Sequence, residues 1–462
     1  MEVIVTMFLK NQSRWKAIIL DLDGTLLHSD GSISEYTLEM LDECKRRGIL
    51  VVVATARFWF KAEKYLEIIS PDYAILADGT QIYHNGEMIH GYGMDRLQSD
   101  GIISELVQKK EFVVSTGKKL FCSAGEIDEK WRASKDFTEP LNCSVYKIAA
   151  ILSTYNEAKE LAEKFDCQMY SYRDEQLYGF TSKKSGKYQA VAKLGEMLQI
   201  GMDEMLAFGD DENDCDILKN VGKGVAVANA IPMIKEIVDD VAQSNDEDGV
   251  AKYIEKELIP FWEKAYQKKD TVVFSIEPNA TIKEFENLFC KHSRVLDVGC
   301  GEGQNAIYLA KQGYHVDAFD LSEYGIAKVN DRCKVSGVKL NAFIADLTEY
   351  KFEQNYDVIM SFGTLHFVRK NEWKKFVKEA KRHTNDGGIH IIQLFTDVVP
   401  ASDDIAPFAV GLARDEEIKE LYEDWEILQF KSYVFEDEHP GVPKHLHASN
   451  KIVVRKDNHS CG

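Results

Sequence analysis

No Cys-x-x-Cys pair occurs in the chain, and its nine cysteines are scattered and odd in number. That argues against a disulfide framework and against a zinc site, and a reducing cytoplasm fits best. Long hydrophobic runs are also missing. The opening Val3-Ile4-Val5-Thr6-Met7-Phe8-Leu9 stretch is too short to span a bilayer. No basic leader precedes it and no small-residue cleavage pattern follows, so it reads as a loose extension or start-site artefact, not a signal peptide. Positive charge is in deficit. The formal charge of −20 argues against nucleic acid held by phosphate contacts and against an anionic membrane surface. A small anionic substrate remains compatible, because a pocket's local charge can oppose the global one. There is no Gly/Ser tether, low-complexity run or internal repeat.

What is present is enough chain for two or three domains: 462 residues, 45% of them hydrophobic, as in soluble globular proteins. The first organising stretch is Lys16-Ala17-Ile18-Ile19-Leu20-Asp21-Leu22-Asp23-Gly24-Thr25. Its unbroken apolar run predicts a strand of a parallel sheet, buried on both faces. It ends in two carboxylates, at the strand end where open α/β sheets bind ligands. Two acids this close repel unless a cation or a shared proton relieves them. A calcium loop fits poorly, since glycine stands at the fourth position and no glutamate at the twelfth.

Ser34 can cap a helix carrying Leu38, Leu41 and Cys44, and Gly48 can end it. Ile49–Val53 predicts a second buried strand, which runs into Thr55-Ala56-Arg57, and Tyr73–Ala77 predicts a third, ending at Asp78-Gly79. From about His84 to Lys183, short alternating strands mix with polar helices, as in an inserted α+β domain. The parallel pattern resumes at Lys187, which opens a helix. Met205–Phe208 is a strand running into Gly209-Asp210-Asp211-Glu212-Asn213-Asp214, and Gly224–Ala230 supplies one more. Taken singly, Thr55 is an ordinary strand-end residue, Lys187 a solvated helix residue, and Asp210 to Asp214 a turn.

Together, and in this order, these motifs resemble the haloacid dehalogenase-like phosphohydrolases, from about Trp15 to Glu257. The closest match is the Cof-type branch, which carries a large α/β cap; Val225–Ala230 and Ser244–Gly249 match that branch's tail. The resemblance implies Asp21 as nucleophile forming an aspartyl-phosphate, and Asp23 as general acid and then base. Thr55 and Lys187 would bind phosphate, with Arg57 and Asn213 assisting at the substrate. Mg²⁺ would sit on Asp21, the Asp23 carbonyl, Asp210 and Asp214. One departure stands out. The family usually has Asn-Gly where this chain has Asp78-Gly79. The extra carboxylate either disfavours some phosphate esters or only shapes a turn.

Gly249 to about Lys269 reads as helical, broken or kinked at Pro260, with Phe261 and Trp262 free to pack on either neighbour. The second organising stretch is Arg294-Val295-Leu296-Asp297-Val298-Gly299-Cys300-Gly301-Glu302-Gly303, a strand entering a glycine loop. Its G-x-G-x-G spacing is not that of dinucleotide sites, which lowers the NAD reading. Further strands end in acids at Asp320 and Asp346, another at Ser361, and a fifth follows Gly387-Gly388. This succession resembles the class I S-adenosylmethionine-dependent methyltransferases. Pro407-Phe408-Ala409, Glu420–Glu426 and His445-Leu446-His447 look like the tellurite-resistance branch. Carried over, Gly299, Cys300 and Gly301 would line the methionine part of S-adenosyl-L-methionine, and Asp297 would support the loop and the cofactor amine. Asp320 with Leu321 would take the ribose and Asp346 with Leu347 the adenine, while Ser361 and Thr364-Leu365-His366 would face the acceptor.

The expected fold class is therefore α/β, with two Rossmann-like parallel sheets in one chain. Residues 15–83 and 184–265 form the hydrolase core, 84–183 the cap, 266–278 a linker and 279–457 the methyltransferase domain. The expected function is a bifunctional cytoplasmic enzyme, a phosphatase fused to a small-molecule methyltransferase. Its partners would be small-molecule substrates, with no nucleic acid and no membrane. Two rivals stay open. One is a methyltransferase-like half that only senses S-adenosylmethionine; the other is a phosphotransferase in the first half. Cys300 doubles as a small packing residue, and His366 as an acceptor-side base or a packing residue. His439, His445 and His447 are either metal ligands or solvated hairpin residues.

Overall fold

In the computed structural model, the apolar run after Lys16 forms β1 (Ala17–Leu20), every residue of it buried. The description covers residues 14–107, 111–123, 132–135, 137, 139, 141–172, 176–268, 271–439 and 442–457. The Val3–Leu9 run, Lys269-Asp270 of the expected linker and Cys461 lie outside it. The chain divides into two units, Met1–Glu255 and Lys256–Gly462. The division thus falls ten residues before the boundary predicted from sequence. No helix among the described residues is long and apolar enough to cross a membrane.

In the first unit, Ser34 accepts a hydrogen bond from the Thr37 amide and starts the helix Glu35–Arg46. Next come β2 (Leu50–Ala54), β3 (Tyr73–Leu76), β4 (Gln81–His84) and β5 (Glu87–Gly91). β4 and β5 belong to the core sheet, so the inserted unit begins after Gly91 and not at residue 84. The cause is local: Asn85 (φ 49°) and Gly86 (φ 75°) form a left-handed two-residue turn that folds β5 back on β4. The cap then contributes β6 (Phe112–Ser115), β7 (Leu120–Cys122), β8 (Arg132–Ser134), β9 (Lys147–Ile151), β10 (Gln168–Ser171) and β11 (Leu177–Thr181). These make a separate sheet in the order β10-β11-β9-β6-β7-β8. Helices Arg96–Leu106 and Tyr155–Lys164 pack on it through Ile102, Leu106, Ala158 and Ala162. The chain returns to the core through helix Lys187–Leu198, β12 (Met205–Gly209), β13 (Lys223–Val227) and β14 (Asp240–Ala242). The sheet order is β14-β13-β12-β1-β2-β3-β4-β5, parallel from β14 to β3. β1 therefore lies between β2 and β12, and the ends carrying Asp21, Thr55 and Asp210 are adjacent.

In the second unit, helix Phe261–Gln267 follows Pro260. The strands are β15 (Arg294–Val298), β16 (His315–Asp320), β17 (Asn341–Ile344), β18 (Tyr356–Phe362), β19 (Thr384–Phe395), β20 (Glu426–His439) and β21 (Val442–Arg455). Their order is β17-β16-β15-β18-β19-β21-β20, parallel up to β19 and antiparallel beyond it. Each face has its own core. One holds Trp373, Phe376, Tyr422 and Trp425, the other Ile282, Ala306, Leu309 and Val329. Both architectures put the singled-out residues at carboxyl ends of parallel strands, where neighbouring chain diverges and leaves room for a ligand.

Candidate active sites

After β1 the chain makes a wide turn in which the Leu26 and Leu27 amides reach back to the Asp21 and Leu22 carbonyls at 3.3 and 2.9 Å. Gly24 sits in it at φ +77°, and a Cβ there would lie 2.6 Å from Asp210 Oδ2. Only glycine lets the Asp21 loop come this close to the loop after β12. Asp21, Asp210 and Asp214 are all buried, and each offers a carboxylate oxygen within 4.8 Å of the others. Lys187 Nζ donates to Asp21 Oδ1 at 2.5 Å, Asp214 Oδ1 at 2.7 Å and Asn213 Oδ1 at 3.3 Å. Thr25 Oγ1 donates to Asp210 Oδ1 at 2.9 Å, and the Asp210 amide to Asp214 Oδ2 at 3.2 Å.

One buried ammonium faces three carboxylates. Burial pushes the Asp21 carboxyl well up, Lys187 opposes this, and Asp214 and Asp210 add to it. Burial and then Asp214 raise Asp210 to about 6. Burial works against the Lys187 charge, but Asp21 and Asp214 outweigh it and hold the ammonium protonated. The residual negative charge and the all-oxygen donor set fit a hard divalent cation such as Mg²⁺. The Asp23 side chain stays outside this cluster. It is exposed and takes a bidentate pair from Arg57, Nε at 2.7 Å and Nη2 at 2.5 Å. Thr55 is buried at the end of β2, and its Oγ1 accepts from the Arg57 amide at 3.2 Å. Sequence reasoning missed Thr25, a threonine beside the glycine of a loop, and the partners of Asp78. Asp78 is not a simple turn residue: it is fully buried and paired with Lys147 from the cap.

In the second unit, Gly299, Gly301 and Gly303 all have positive φ (68°, 53° and 75°). A Cβ on Gly299 would strike Thr364 Oγ1 at 2.0 Å, and one on Gly301 the Tyr266 hydroxyl at 2.7 Å. Asp320 holds the loop: Oδ2 accepts from the Gly301 amide at 2.8 Å and Oδ1 from the Ser322 amide at 2.9 Å. Asp297 is buried, and its Oδ2 has no hydrogen-bond partner. Burial, and then the Asp320 charge, push Asp297 up to about 7. Ser361 is Val298's neighbour across the β15–β18 pair, and its buried Oγ also lacks a partner. An orphaned carboxylate oxygen and an orphaned hydroxyl at adjacent strand ends fit a ligand bearing an amine and polar edges. S-adenosyl-L-methionine is such a ligand. Leu321 follows Asp320 at the end of β16 and is half-buried. Asp346 Oδ1 accepts from the Thr348 amide and hydroxyl, both at 2.7 Å, and Leu347 packs in the core. Burial drives the Cys300 thiol well up, as for a packing residue.

Tyr266 is 5% exposed, and its phenol lies in the fields of Asp320, Glu302 and Cys300. It is no linker residue. Lys328 ties the helix ending at Gln267 to the glycine loop, donating to Ala265 O at 3.3 Å and Glu302 Oε1 at 2.8 Å. The sequence marks this only as an aromatic pair, Phe261-Trp262, without a stated home; Trp262 packs on Phe367, with ring centroids 4.6 Å apart and planes tilted by 39°. His366 is fully buried, its ring 4.3 Å from that of Phe395, and burial holds it neutral at about 3. Its Nδ1 accepts from the Phe395 amide at 3.3 Å, and its buried Nε2 has no hydrogen-bond partner. His447 is buried, not solvated, with Nε2 3.0 Å from that of His445. His439 lies on β20, and its side chain is outside the described residues. Asp21, Asp210 and Asp214 form the only group of three metal-capable side chains among the described residues.

The family model for haloacid dehalogenase-like hydrolases matches residues 18–254. This chain belongs to the haloacid dehalogenase-like hydrolases. The model of the tellurite resistance protein TehB matches residues 263–441, so this hydrolase carries a methyltransferase-type unit after its own. The hydrolase part is 29% identical over 277 residues to phosphatase YwpJ of Bacillus subtilis, covering 51% of this chain and 97% of that protein. A solved haloacid dehalogenase-like hydrolase from B. subtilis aligns at 26% identity with a TM-score of 0.47, covering 52% of this chain and 99% of the other. The second unit is 34% identical over 139 residues to the probable S-adenosyl-L-methionine-dependent methyltransferase TehB of Haemophilus influenzae, 30% of this chain. The chain spans about half (47%) of the length of that relative.

Proposed function

We propose that the chain is a bifunctional enzyme: a Mg²⁺-dependent phosphatase of small phosphorylated metabolites, and an S-adenosylmethionine-dependent methyltransferase with a small-molecule acceptor. The observation that carries the first activity is the buried set Asp21, Asp210 and Asp214 around Lys187. Asp21, Asp210, Asp214 and the Asp23 carbonyl would hold Mg²⁺, which would supply charge neutralisation for the phosphoryl oxygens. An Asp21 oxygen attacks phosphorus in line; the new O–P bond forms as the ester P–O bond breaks. Thr55 and Lys187 hold the phosphoryl oxygens. The substrate phosphate draws Arg57 off Asp23, and the freed carboxylate takes a proton from solvent and gives it to the leaving oxygen. Asp23 then takes a proton from water, which attacks phosphorus and releases phosphate from Asp21.

In the second unit the bound cofactor supplies an electrophilic methyl group on a sulfonium. Asp297 meets the cofactor's amine with its unpaired oxygen, Asp320 keeps acceptor capacity for ribose hydroxyls, and Asp346 with Leu347 borders the adenine. Methyl transfer is an in-line displacement, so alignment and exclusion of water suffice without a protein nucleophile.

The test is a broad phosphate-ester screen of the full chain, with and without Mg²⁺ and with and without S-adenosylmethionine. Mg²⁺-dependent release of phosphate that disappears in Asp21→Asn is expected, with cofactor binding intact in the variant. Turnover retained in Asp21→Asn removes it as nucleophile. Cofactor binding without methyl transfer to any acceptor, together with altered phosphatase kinetics, favours a sensor in place of the second enzyme.

A further inference from the structure

Asp78 is fully buried, and its surroundings give the carboxylate a task. The turn Ala77-Asp78-Gly79 has three consecutive positive φ values, 53°, 58° and 78°. Such a turn is strained for the two non-glycine residues and persists because its surroundings fix it. The Ala77 amide donates to Arg57 O at 2.9 Å, and Gly79 leaves no room for a Cβ, which would lie 2.1 Å from Gly186 O. The turn is thus wedged between the Thr55 loop and the start of the Lys187 helix.

It presents Asp78 to the cap. Lys147, at the start of β9, places Nζ 2.5 Å from Asp78 Oδ2, and the Tyr172 hydroxyl donates to the same oxygen at 2.5 Å. Both charged side chains are buried, 2% and 1% exposed. Lys147 Nζ also donates to Ala56 O at 3.0 Å, between Thr55 and Arg57, and lies 4.5 Å from the Phe58 ring. Gly179 on β11 makes room for this, since a Cβ there would meet the Tyr172 hydroxyl at 2.6 Å. Burial, with the nearby cations Lys61 and Lys187, disfavours the Lys147 charge, and Asp78 is the group that compensates.

We propose that Asp78, Lys147 and Tyr172 form a latch that holds the cap down on the Thr55–Arg57 loop and makes the phosphatase selective for compact phosphate esters. This rests on the phosphatase reading above. Lys147 Nζ sits on the Ala56 carbonyl, between Thr55 and Arg57, so a bulky leaving group on a phosphate held by those residues is accommodated only by lifting Lys147 out of its pair. Removing one partner strands a buried charge and releases the cap; removing both charges leaves nothing to strand.

The test compares the full-length wild type with Asp78→Asn, Tyr172→Phe and the double variant Asp78→Asn/Lys147→Met. Two readouts are used: hydrogen exchange of the amides in 147–151 and 177–181 without substrate, and kcat/KM for glycerol 1-phosphate against adenosine 5′-monophosphate. In Asp78→Asn, exchange rises about 10-fold and the preference for the compact ester falls about 10-fold, mainly through its KM; Tyr172→Phe shifts both about 3-fold. The double variant strands no charge but has no pair, so it stays unlatched: exchange remains raised and the preference remains lost, while kcat for the compact ester stays at the wild-type level, which general unfolding does not allow. Unchanged protection and preference in Asp78→Asn, or a double variant that regains both, overturns the latch. If the wild type hydrolyses neither ester nor any other, the phosphatase reading fails, and the exchange data still decide whether the cap is latched.

Discussion

Replacing Asp297 by asparagine should stabilise the cofactor-free protein and weaken cofactor binding, with a pH dependence of known sign. Asp297 is buried, one carboxylate oxygen is unpaired, and its folded-state pKa is raised to about 7. A group raised above its unfolded value favours the folded state fully below the unfolded pKa. That contribution is lost as pH rises through the folded one. Between pH 4 and 7 the loss is about 4 kcal/mol, from roughly three pKa units at 1.36 kcal/mol each. Asparagine keeps the bond from the Ala306 amide and carries no charge, but leaves an amide unpaired at a cost of about 2 kcal/mol. The net gain at pH 8 is about 2 kcal/mol, or roughly 5 °C in melting temperature for a unit of this size. At pH 5 both side chains are neutral and the gain disappears. Wild-type affinity for S-adenosylmethionine should fall about 10-fold from pH 8 to pH 6, because the amine needs the ionised carboxylate. The variant's residual affinity should lack that step. Scanning calorimetry and calorimetric titration at pH 5, 6 and 8 measure both. A melting-temperature difference independent of pH, or wild-type affinity in the variant, refutes the reasoning.

Lys187→Met leaves three buried carboxylates without their ammonium; the first unit should lose roughly 3–5 kcal/mol, about 10 °C in melting temperature. Added Mg²⁺ should recover more of that loss in the variant than it adds to wild type, as thermal melts with and without the ion will report. Asp320→Ala should weaken S-adenosylmethionine roughly 10- to 100-fold by titration, since it removes the ribose acceptor and frees the Gly301 amide. Phosphatase kinetics should be unchanged in that variant.

The strands were legible where they are buried on both faces. Ile18–Leu20, Val51–Val53 and Leu206–Phe208 are continuous apolar runs, and within two residues of their ends stand Asp21, Thr55 and Asp210. Pro260 broke the helical pattern where expected, between Gly249–Leu258 and Phe261–Gln267. What stayed hidden depends on residues far apart in the chain. Asp78 meets Lys147 and Tyr172 only after the cap has folded. The clue was Lys147 at the head of the apolar run Ile148-Ala149-Ala150, a lysine that needed a counter-ion from somewhere. Asp23 was expected at the phosphate, and the bidentate grip of Arg57 could not be read from spacing. His447 looked solvated because H-x-H on a terminal strand usually is. Here the long β20–β21 hairpin pairs with β19 and buries it against Phe395. The Asn85-Gly86 turn was readable, yet only its pairing shows that β5 stays in the core sheet.

The central claim is that Asp21 carries the phosphoryl group. Rapid-quench turnover of a phosphorus-labelled ester by the full chain with Mg²⁺, followed by peptide mapping, tests it most directly. Transient, hydroxylamine-labile label is expected on Asp21 and absent in Asp21→Asn. Steady turnover with no label on Asp21 at any quench time would contradict it.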